Sequence, residues 1–252
     1  MTLVRESMTS PAVTLPSSAT TRDALALLER SKVSALPVVD DGKLAGIVST
    51  TDLVRDLALA PASEVRTLST VMKTEVVTVG PDDPVELAAR RMLEARVHRV
   101  VVVEGAAVVG VLSTRDLLAT VVAKKSAVPL SALMTSEVVT IEIDAPLDRA
   151  LEALVEAKVH GLVVVDGEHP LGVFTHAEAL ASRTLPAALR SRPVEEVMSY
   201  ETICHDLGTP AYRAAAQCIQ MNVRRILVVD HRRLVGVLSV LDLLRVLVEP
   251  SA

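Results

Sequence analysis

Residues 236–242 read Gly-Val-Leu-Ser-Val-Leu-Asp: a glycine, an apolar pair, a hydroxyl side chain and, six positions after the glycine, a carboxylate. The same order recurs at residues 46–52 (GIVSTTD), 110–116 (GVLSTRD) and 172–178 (GVFTHAE), the last with Glu in place of Asp. A methionine also precedes each glycine by 38 positions, at Met8, Met72, Met134 and Met198. The chain is therefore built from four repeats of about 60 residues.

Each repeat predicts the same order of elements. A short strand ends at a Thr or Cys, a helix follows with Pro at its predicted first position, and an aliphatic run such as residues 100–103 predicts a buried second strand. A turn such as Glu104-Gly105 leads to a third strand, which ends in the glycine motif and precedes a second helix. The fold class is α/β (α+β), with four β-α-β-β-α repeats. The first strands end at Thr14, Thr78, Thr140 and Cys204, and the prolines are Pro84, Pro146 and Pro210.

Composition limits the classes of partner. Half of the 252 residues are hydrophobic, mostly aliphatic, with one Phe, two Tyr and no Trp, which is enough apolar material for a substantial core. Residues 1–125 hold 15 basic and 15 acidic groups, whereas residues 126–252 hold 11 and 16. A neutral half joined to an acidic half is unsuited to a polyphosphate backbone, so we expect no nucleic-acid partner.

Neither a membrane span nor an export signal is expected. No apolar run approaches the roughly 20 residues that cross a bilayer, and the first residues lack a basic-then-apolar pattern. We therefore expect a cytoplasmic protein without a membrane partner, in which Cys204 and Cys218 are reduced rather than bridged.

Carboxylates end the four motifs at the predicted start of a helix. A carboxylate there can accept hydrogen bonds from the 2′- and 3′-hydroxyls of a ribose, beside helix N–H groups that favour an anion. Alternatively, such a residue simply caps its helix. We expect the ribose role for Asp52, Asp116 and Asp242, and only weakly for the longer Glu178. Polar neighbours in the motifs are predicted phosphate contacts: Ser49, Thr51, Ser113, Arg115, Thr175 and Ser239.

Basic residues recur just before the aliphatic strands. Arg96 and His98 are predicted to point to one side of a strand and Arg99 to the other. A single charge at such a position is usually solvated, but several cations beside an apolar strand favour a phosphate group. Repeat one has Ser34 and Ala35 instead, so a phosphate there would need a cation from another repeat. The predicted phosphate ligands are His98, Arg99, Arg224 and Arg225.

These motifs together resemble the cystathionine β-synthase (CBS) domain family, and the resemblance covers almost the whole chain. It implies that repeats pair into Bateman modules whose clefts bind adenosine-containing ligands, with Thr14, Thr78 and Thr140 as further cleft contacts. Four repeats in one chain are similar in architecture to the γ subunit of AMP-activated protein kinase, in which two modules form a flat disc.

The resemblance also implies the domain boundaries. Repeats at residues 1–60 and 61–122 form a first module, and repeats at residues 123–186 and 187–252 form a second. Residues 119–130 are the predicted linker between the modules. The disc forms either within one chain or in a homodimer, and the sequence does not choose between them.

The repeats differ in their predicted capacity to bind. Repeat three combines Glu178 with Gly161 at a position that is basic elsewhere, so it is the weakest candidate. Sites at Asp116 and Asp242 are predicted to be the strongest, followed by Asp52.

Catalysis is disfavoured. Cys204 and His205 resemble a nucleophile and its base, but adjacent residues on a strand point to opposite faces. The six histidines show no HExxH spacing and the cysteines form no CxxC pair, so no metal site is expected. We expect a non-catalytic regulatory protein that needs no catalytic cofactor, binds AMP, ADP or ATP, and signals to an unidentified effector. The alternatives are S-adenosylmethionine as ligand, or a structural scaffold with empty clefts.

Overall fold

The computed structural model describes residues 2–59, 66–157, 159, 161–183 and 191–248. It divides into two compact units, Met1–Leu117 and Leu118–Ala252, and each unit contains two repeats. This mixed α/β architecture of four similar sheet-and-helix repeats, paired in two modules, confirms the predicted fold class.

Repeats one and two share the same helix–hairpin–helix order, but repeat one has a two-stranded sheet without the first strand that repeat two has. Their helices are α1 Val4–Ser7, α2 Thr21–Ser31, α3 Thr50–Leu59, α4 Val85–Ala95 and α5 Thr114–Lys124, with a 3₁₀ turn at Leu68–Thr70. Their strands are β1 Ala35–Asp40, β2 Lys43–Ser49, β3 Thr78–Val79, β4 Arg99–Glu104 and β5 Ala107–Ser113.

Repeats three and four continue the pattern. Their helices are α6 Leu147–Glu156, α7 His176–Arg183, α8 Ala211–Met221, α9 Val240–Leu243 and α10 Arg245–Val248, with 3₁₀ turns at Leu130–Ala132 and Val194–Glu196. Their strands are β6 Thr140–Glu142, β7 Gly161–Asp166, β8 His169–Thr175, β9 Thr202–Asp206, β10 Arg225–Asp230 and β11 Arg233–Ser239.

The aliphatic runs form the central strands of the sheets, as predicted. In repeats two to four this strand is parallel to the first strand of the repeat. It is antiparallel to the third strand, with which it forms a hairpin. The middle of β4, from Val100 to Val102, is fully buried. The continuous apolar sequence suits this position, because side chains on both faces of the strand are shielded from water.

The segment that precedes each repeat packs on the other repeat of its unit. Lys73 pairs with Ile47 on β2, and the buried Leu68 belongs to the core of repeat one with Leu36 and Leu53. In the second unit Val194 and Met198 likewise complete the core of repeat three. The sequence pattern predicted that these segments recur, but it placed each one in the repeat that it begins rather than in the core of the other repeat.

The exchange explains why a methionine and a glycine recur in every repeat. A Cβ atom placed on Gly46 would lie 2.8 Å from both the Sδ atom of Met72 and the carbonyl oxygen of Lys73, closer than real contacts allow. Glycine is needed because the backbone of one repeat passes directly against the other. The same contact joins Gly110 to Met8, Gly172 to Met198 and Gly236 to Met134.

Local predictions need three corrections. Pro84, Pro146 and Pro210 occupy the N-cap position with extended ψ angles, one residue before the first helical position. Thr78 and Thr140 begin their strands rather than end them, Cys204 lies in the middle of β9, and Thr14 is outside any strand. The predicted linker at residues 119–130 begins too early, because α5 runs to Lys124 and buries Val121.

Within the described ranges, every helix is too short or too polar to cross a lipid bilayer.

Candidate functional site

Each motif carboxylate closes a capping box at the end of its strand. Ser49 ends β2, and both its backbone N–H, at 3.0 Å, and its hydroxyl donate to one carboxylate oxygen of Asp52. In return the backbone N–H of Asp52 donates to the Ser49 hydroxyl at 3.3 Å. This reciprocal arrangement satisfies helix N–H groups that would otherwise lack partners. Equivalent bonds join Ser113 to Asp116, Ser239 to Asp242 and Thr175 to Glu178.

Helix capping, the alternative to ribose binding, is thus the role that these acids have in all four repeats. It uses one of the two carboxylate oxygens. The hydroxyls predicted as phosphate contacts donate their proton to this oxygen. Thr51 and Arg115 lie in the first turns of α3 and α5, beyond the capping residues. The second carboxylate oxygen takes no part in these capping bonds and is the one available for further chemistry.

In repeat one the second oxygen of Asp52 meets a cation from the exchanged segment. The Nζ atom of Lys73 lies 3.1 Å from it, and Lys73 is 65% exposed whereas Asp52 is 10% exposed. The pairing of Lys73 with β2 brings this ammonium to the start of α3. An ion pair in which one partner is largely exposed contributes little to stability, so the Lys73 head group can leave at low cost.

Arg99 reaches from repeat two into the cleft of repeat one. Its guanidinium donates to the hydroxyl of Ser34. The backbone N–H of Thr50, the first residue of α3, donates to the carbonyl of Ser34 at 3.1 Å. The Arg99 head group therefore lies beside the start of the helix that carries Asp52, which supplies the cation that repeat one lacks.

The equivalent Arg225 lies near the carboxylate of the other repeat in its unit. Burial lowers the pKa of the Arg225 guanidinium, the charge of Glu178 acts in the opposite direction, and Arg224 adds to the lowering. Arg225 stays protonated at neutral pH because an arginine side chain cannot be deprotonated under these conditions. In both units, then, the arginine of the even-numbered repeat reaches into the odd-numbered repeat, where Arg99 contacts Ser34 and Arg225 is within the field of Glu178.

The predicted alternation of Arg96, His98 and Arg99 is wrong. Arg96 ends α4 in a left-handed conformation with φ of 50°, and β4 begins only at Arg99. The carbonyl of His98 accepts the N–H of Thr114 at 3.0 Å, and the carbonyl of Arg224 accepts that of Val240 at 3.1 Å. The corresponding His160 of repeat three lies outside the described residues.

A cavity of about 260 Å³ lies between repeats three and four. Its walls come from the segment before β6, the β7–β8 turn and the start of β11. Thr140, a predicted cleft contact, lines it, whereas the exposed Thr14 and half-buried Thr78 lie in the first unit. The lining residues are Ser136, Val138, Thr140, Val165, Gly167, Glu168, Arg233, Leu234 and Val235.

The cysteines are unsuited to nucleophilic chemistry. Burial raises the pKa of the Cys204 thiol, and it raises that of the buried Cys218 to about 11. Both are free thiols, protonated at neutral pH. Across the described part of the chain, no group of three or more His, Cys, Asp or Glu side chains is placed to hold a metal ion.

Comparison with known families accounts for the repeats. The model of the CBS domain matches residues 4–59, 65–123, 130–183 and 194–249. This chain belongs to the CBS-domain family. The CBS domain-containing protein YhcV of Bacillus subtilis (strain 168) is 31% identical over 131 residues, which cover 50% of this chain and 91% of YhcV. Uncharacterized protein MJ1404 of Methanocaldococcus jannaschii is 26% identical, covering 96% of this CBS-domain chain and 61% of MJ1404.

Two solved structures are similar to this CBS-domain chain over nearly its full length. Protein MJ1225 of Methanocaldococcus jannaschii, proposed as an archaeal homologue of γ-AMPK, superposes with a TM-score of 0.80 at 18% identity and covers 97% of this chain and 99% of its own. An uncharacterized conserved protein from Pyrococcus horikoshii superposes with a TM-score of 0.73 at 26% identity and covers 98% and 100%. The four-repeat architecture is therefore shared with other proteins.

Proposed function

We propose that this CBS-domain protein is a non-catalytic regulator that binds an adenine nucleotide between Arg99 of repeat two and Asp52 of repeat one. The observation that carries the proposal is the contact between the Arg99 guanidinium and the Ser34 hydroxyl at the start of α3. Two repeats thereby contribute one cation and one carboxylate to the same cleft.

The chemistry of this cleft suits a nucleoside phosphate. The second oxygen of Asp52 can exchange its bond to Lys73 for a ribose hydroxyl, and a charge-assisted hydrogen bond of this kind is stronger than a neutral one. Lys73 is then free to join Arg99 on the phosphate. Arginine offers a planar fork of donors that matches phosphate oxygens, and lysine adds a mobile point charge.

The same geometry changes the ranking of the clefts. The sequence ranked Asp116 and Asp242 first because their own repeats carry the basic pairs. However, Arg99 approaches the Asp52 cleft and Arg225 approaches Glu178, so each basic residue serves the other repeat of its unit. We now place the Asp52 cleft first for a phosphorylated ligand, with Asp242 as a further candidate.

Regulation follows from a ligand that touches two repeats at once. A nucleotide held by Asp52 and Arg99 binds one relative arrangement of repeats one and two better than any other, and it shifts the population toward that arrangement. An effector protein that distinguishes the two arrangements would sense the nucleotide concentration.

The test is a thermal-shift and calorimetric titration with AMP, ADP, ATP and S-adenosylmethionine. A ligand at 100 times its dissociation constant stabilises the folded state by about 2.7 kcal/mol. We expect stabilisation by at least one of the three nucleotides and its loss in Asp52→Asn. Arg149→Gln is the matched control, because Arg149 forms only surface ion pairs with Glu152 and Glu156 in the described structure.

The other outcomes separate the alternatives. Stabilisation by S-adenosylmethionine alone would replace the nucleotide by a ligand without phosphate. Absence of any shift at millimolar concentration of all four compounds would reject the sensor and leave a structural scaffold.

A further inference from the structure

The first extended segment of each repeat pairs in parallel with the aliphatic strand through one recurring contact. In the first three repeats this contact joins two apolar residues: Leu15 with Val38, Val79 with Val102, and Ile141 with Val164. In repeat four the partner of Val228 on β10 is His205 on β9. A histidine therefore occupies a position at which the other repeats have Leu, Val or Ile.

This position faces the core of its repeat. Ile141 packs against the core of repeat three, which includes Val164, and Val79 is 1% exposed. Residues that are paired across a sheet lie on the same face, and Val228 is fully buried. The side chain of His205 is therefore directed to this face, and its Nε2 atom is buried without a hydrogen-bond partner among the described residues.

Protonation of His205 is unfavourable in this position. Both ring nitrogens of a charged imidazole are donors, so Nε2 would become a buried N–H group without an acceptor. Burial lowers the pKa of the His205 imidazole, and the charge of Asp206 acts in the opposite direction. The folded repeat therefore favours the neutral form of this side chain.

The charges on the surrounding elements do not remove this cost. Asp206 follows His205 on the strand, so it points to the opposite face, and it is exposed. The Cys218 thiol of α8 has its pKa raised to about 11 by burial and is neutral. The charged side chains of β9, β10, α8 and α9 are Asp206, Arg225, Asp230, Arg213 and Asp242.

Strand β9 lies between two contacts that join repeats three and four. Before the strand, the backbone of Ser199 pairs with Val173 of repeat three, at N–H to carbonyl distances of 2.8 and 2.9 Å. After the strand, the carbonyl of Leu207 accepts the N–H of Ser131, in the segment that precedes repeat three, at 3.0 Å. Displacement of β9 would therefore disturb the junction between the two repeats at both ends of the strand.

We propose that protonation of His205 detaches β9 from β10 and loosens the junction between repeats three and four, which makes the second unit a sensor of acidification. The first unit has Val79 at the equivalent position of repeat two and does not respond. This proton input goes beyond the proposed function, because it acts in the second unit and needs no nucleotide.

The pH window follows from the direction of the pKa shift. In the detached strand His205 takes up its proton near the usual pKa of about 6.5, whereas in the paired strand it does so only at lower pH. Above this range both states are neutral, and this group adds no pH dependence. As the pH falls below about 6.5, the detached state binds more protons, and its population rises by at most about tenfold per pH unit.

Hydrogen–deuterium exchange followed by mass spectrometry tests the proposal on the full chain without nucleotide. After correction for intrinsic exchange rates, the amides of β9 should lose protection from about pH 7 to about pH 5.5, by up to about tenfold per pH unit. The amides of β6, which has Ile141 at the same position, should remain protected. In His205→Val, which copies repeat two, β9 should behave like β6. His231→Gln, at a 92% exposed histidine of the same repeat, is the matched control and should retain the loss.

Three results overturn the proposal. A loss of protection that persists in His205→Val assigns the pH effect to another group, and the absence of any loss in the native chain shows that β9 tolerates the charge. Opening of β9 while the amides of Ser199 and Val173 stay protected shows that the junction does not follow the strand. His205→Gln separates titration from packing, because protection of β9 should be independent of pH in this variant even where it is lower throughout.

Discussion

The cleft at Asp52 and the cleft at Glu178 occupy the same position in the two units, yet they differ in chemistry. Both have a motif acid in a capping box and an arginine from the other repeat. In the first unit the arginine contacts a serine hydroxyl and the acid pairs with Lys73; in the second the arginine lies near the acid itself. Specificity in such a repeat protein depends on which residues the exchange between repeats brings together.

The exchanged segments should matter equally in both units. Leu68→Ala and Leu130→Ala remove side chains that are fully buried at equivalent positions. Each should lower the free energy of unfolding by roughly 2–5 kcal/mol, because deletion of a core leucine side chain leaves a cavity. Chemical denaturation followed by circular dichroism measures the change. Val155→Ala, at a position 74% exposed, is the control, and a similarly small effect of Leu68→Ala would contradict the exchange.

The arginines should differ between the units. Arg99→Gln removes a charged donor from the Asp52 cleft and should weaken AMP binding roughly 10- to 100-fold, as expected for a hydrogen bond to a charged group. Arg225→Gln should weaken AMP binding by less than about threefold, because Glu178 already compensates that charge. Calorimetry with AMP on both variants measures the comparison. Equal losses would remove the distinction between the clefts.

The motif hydroxyl should act on stability rather than on phosphate binding. Ser49→Ala removes the capping box and should cost about 1 kcal/mol of unfolding free energy. AMP affinity, measured after correction for the folded fraction, should change by less than about twofold, since the hydroxyl proton already points at Asp52. A tenfold loss of affinity would restore the predicted phosphate role of this serine.

The smallest effect is expected at Lys73. Lys73→Ala breaks a partly exposed ion pair with Asp52 and should change the unfolding free energy by less than about 1 kcal/mol. Its effect on AMP binding should increase at low ionic strength, where surface charges are less screened. Affinity that is independent of salt would mean that Lys73 makes no phosphate contact.

Much of the fold follows from the sequence because its signals are local. The aliphatic run at residues 100–103, the turn at Gly105 and the acid at Asp116 each fix the element on which they lie. The ends of elements are less predictable. The alternate spacing of Arg96 and His98 predicted a strand, but Arg96 adopts a left-handed conformation that ends α4.

The candidate site is less predictable because its contacts cross between repeats. Recurrence shows that Arg99 and Asp116 belong to one repeat, but it does not show that Arg99 reaches Ser34. The absent charge at Ser34 was the available signal, since it indicated a cation from elsewhere.

The contact of Gly46 with Met72 also decides where this chain can be divided for study or for transplantation into another protein. A cut after Leu59 would separate repeat one from Leu68 and Met72, which complete its core, and would leave both fragments with uncovered apolar surface. A cut between Lys125 and Pro129 keeps each Gly–Met contact on one side. Genetic rearrangement of the chain should therefore preserve pairs of repeats, since a single repeat carries the segment that another one needs.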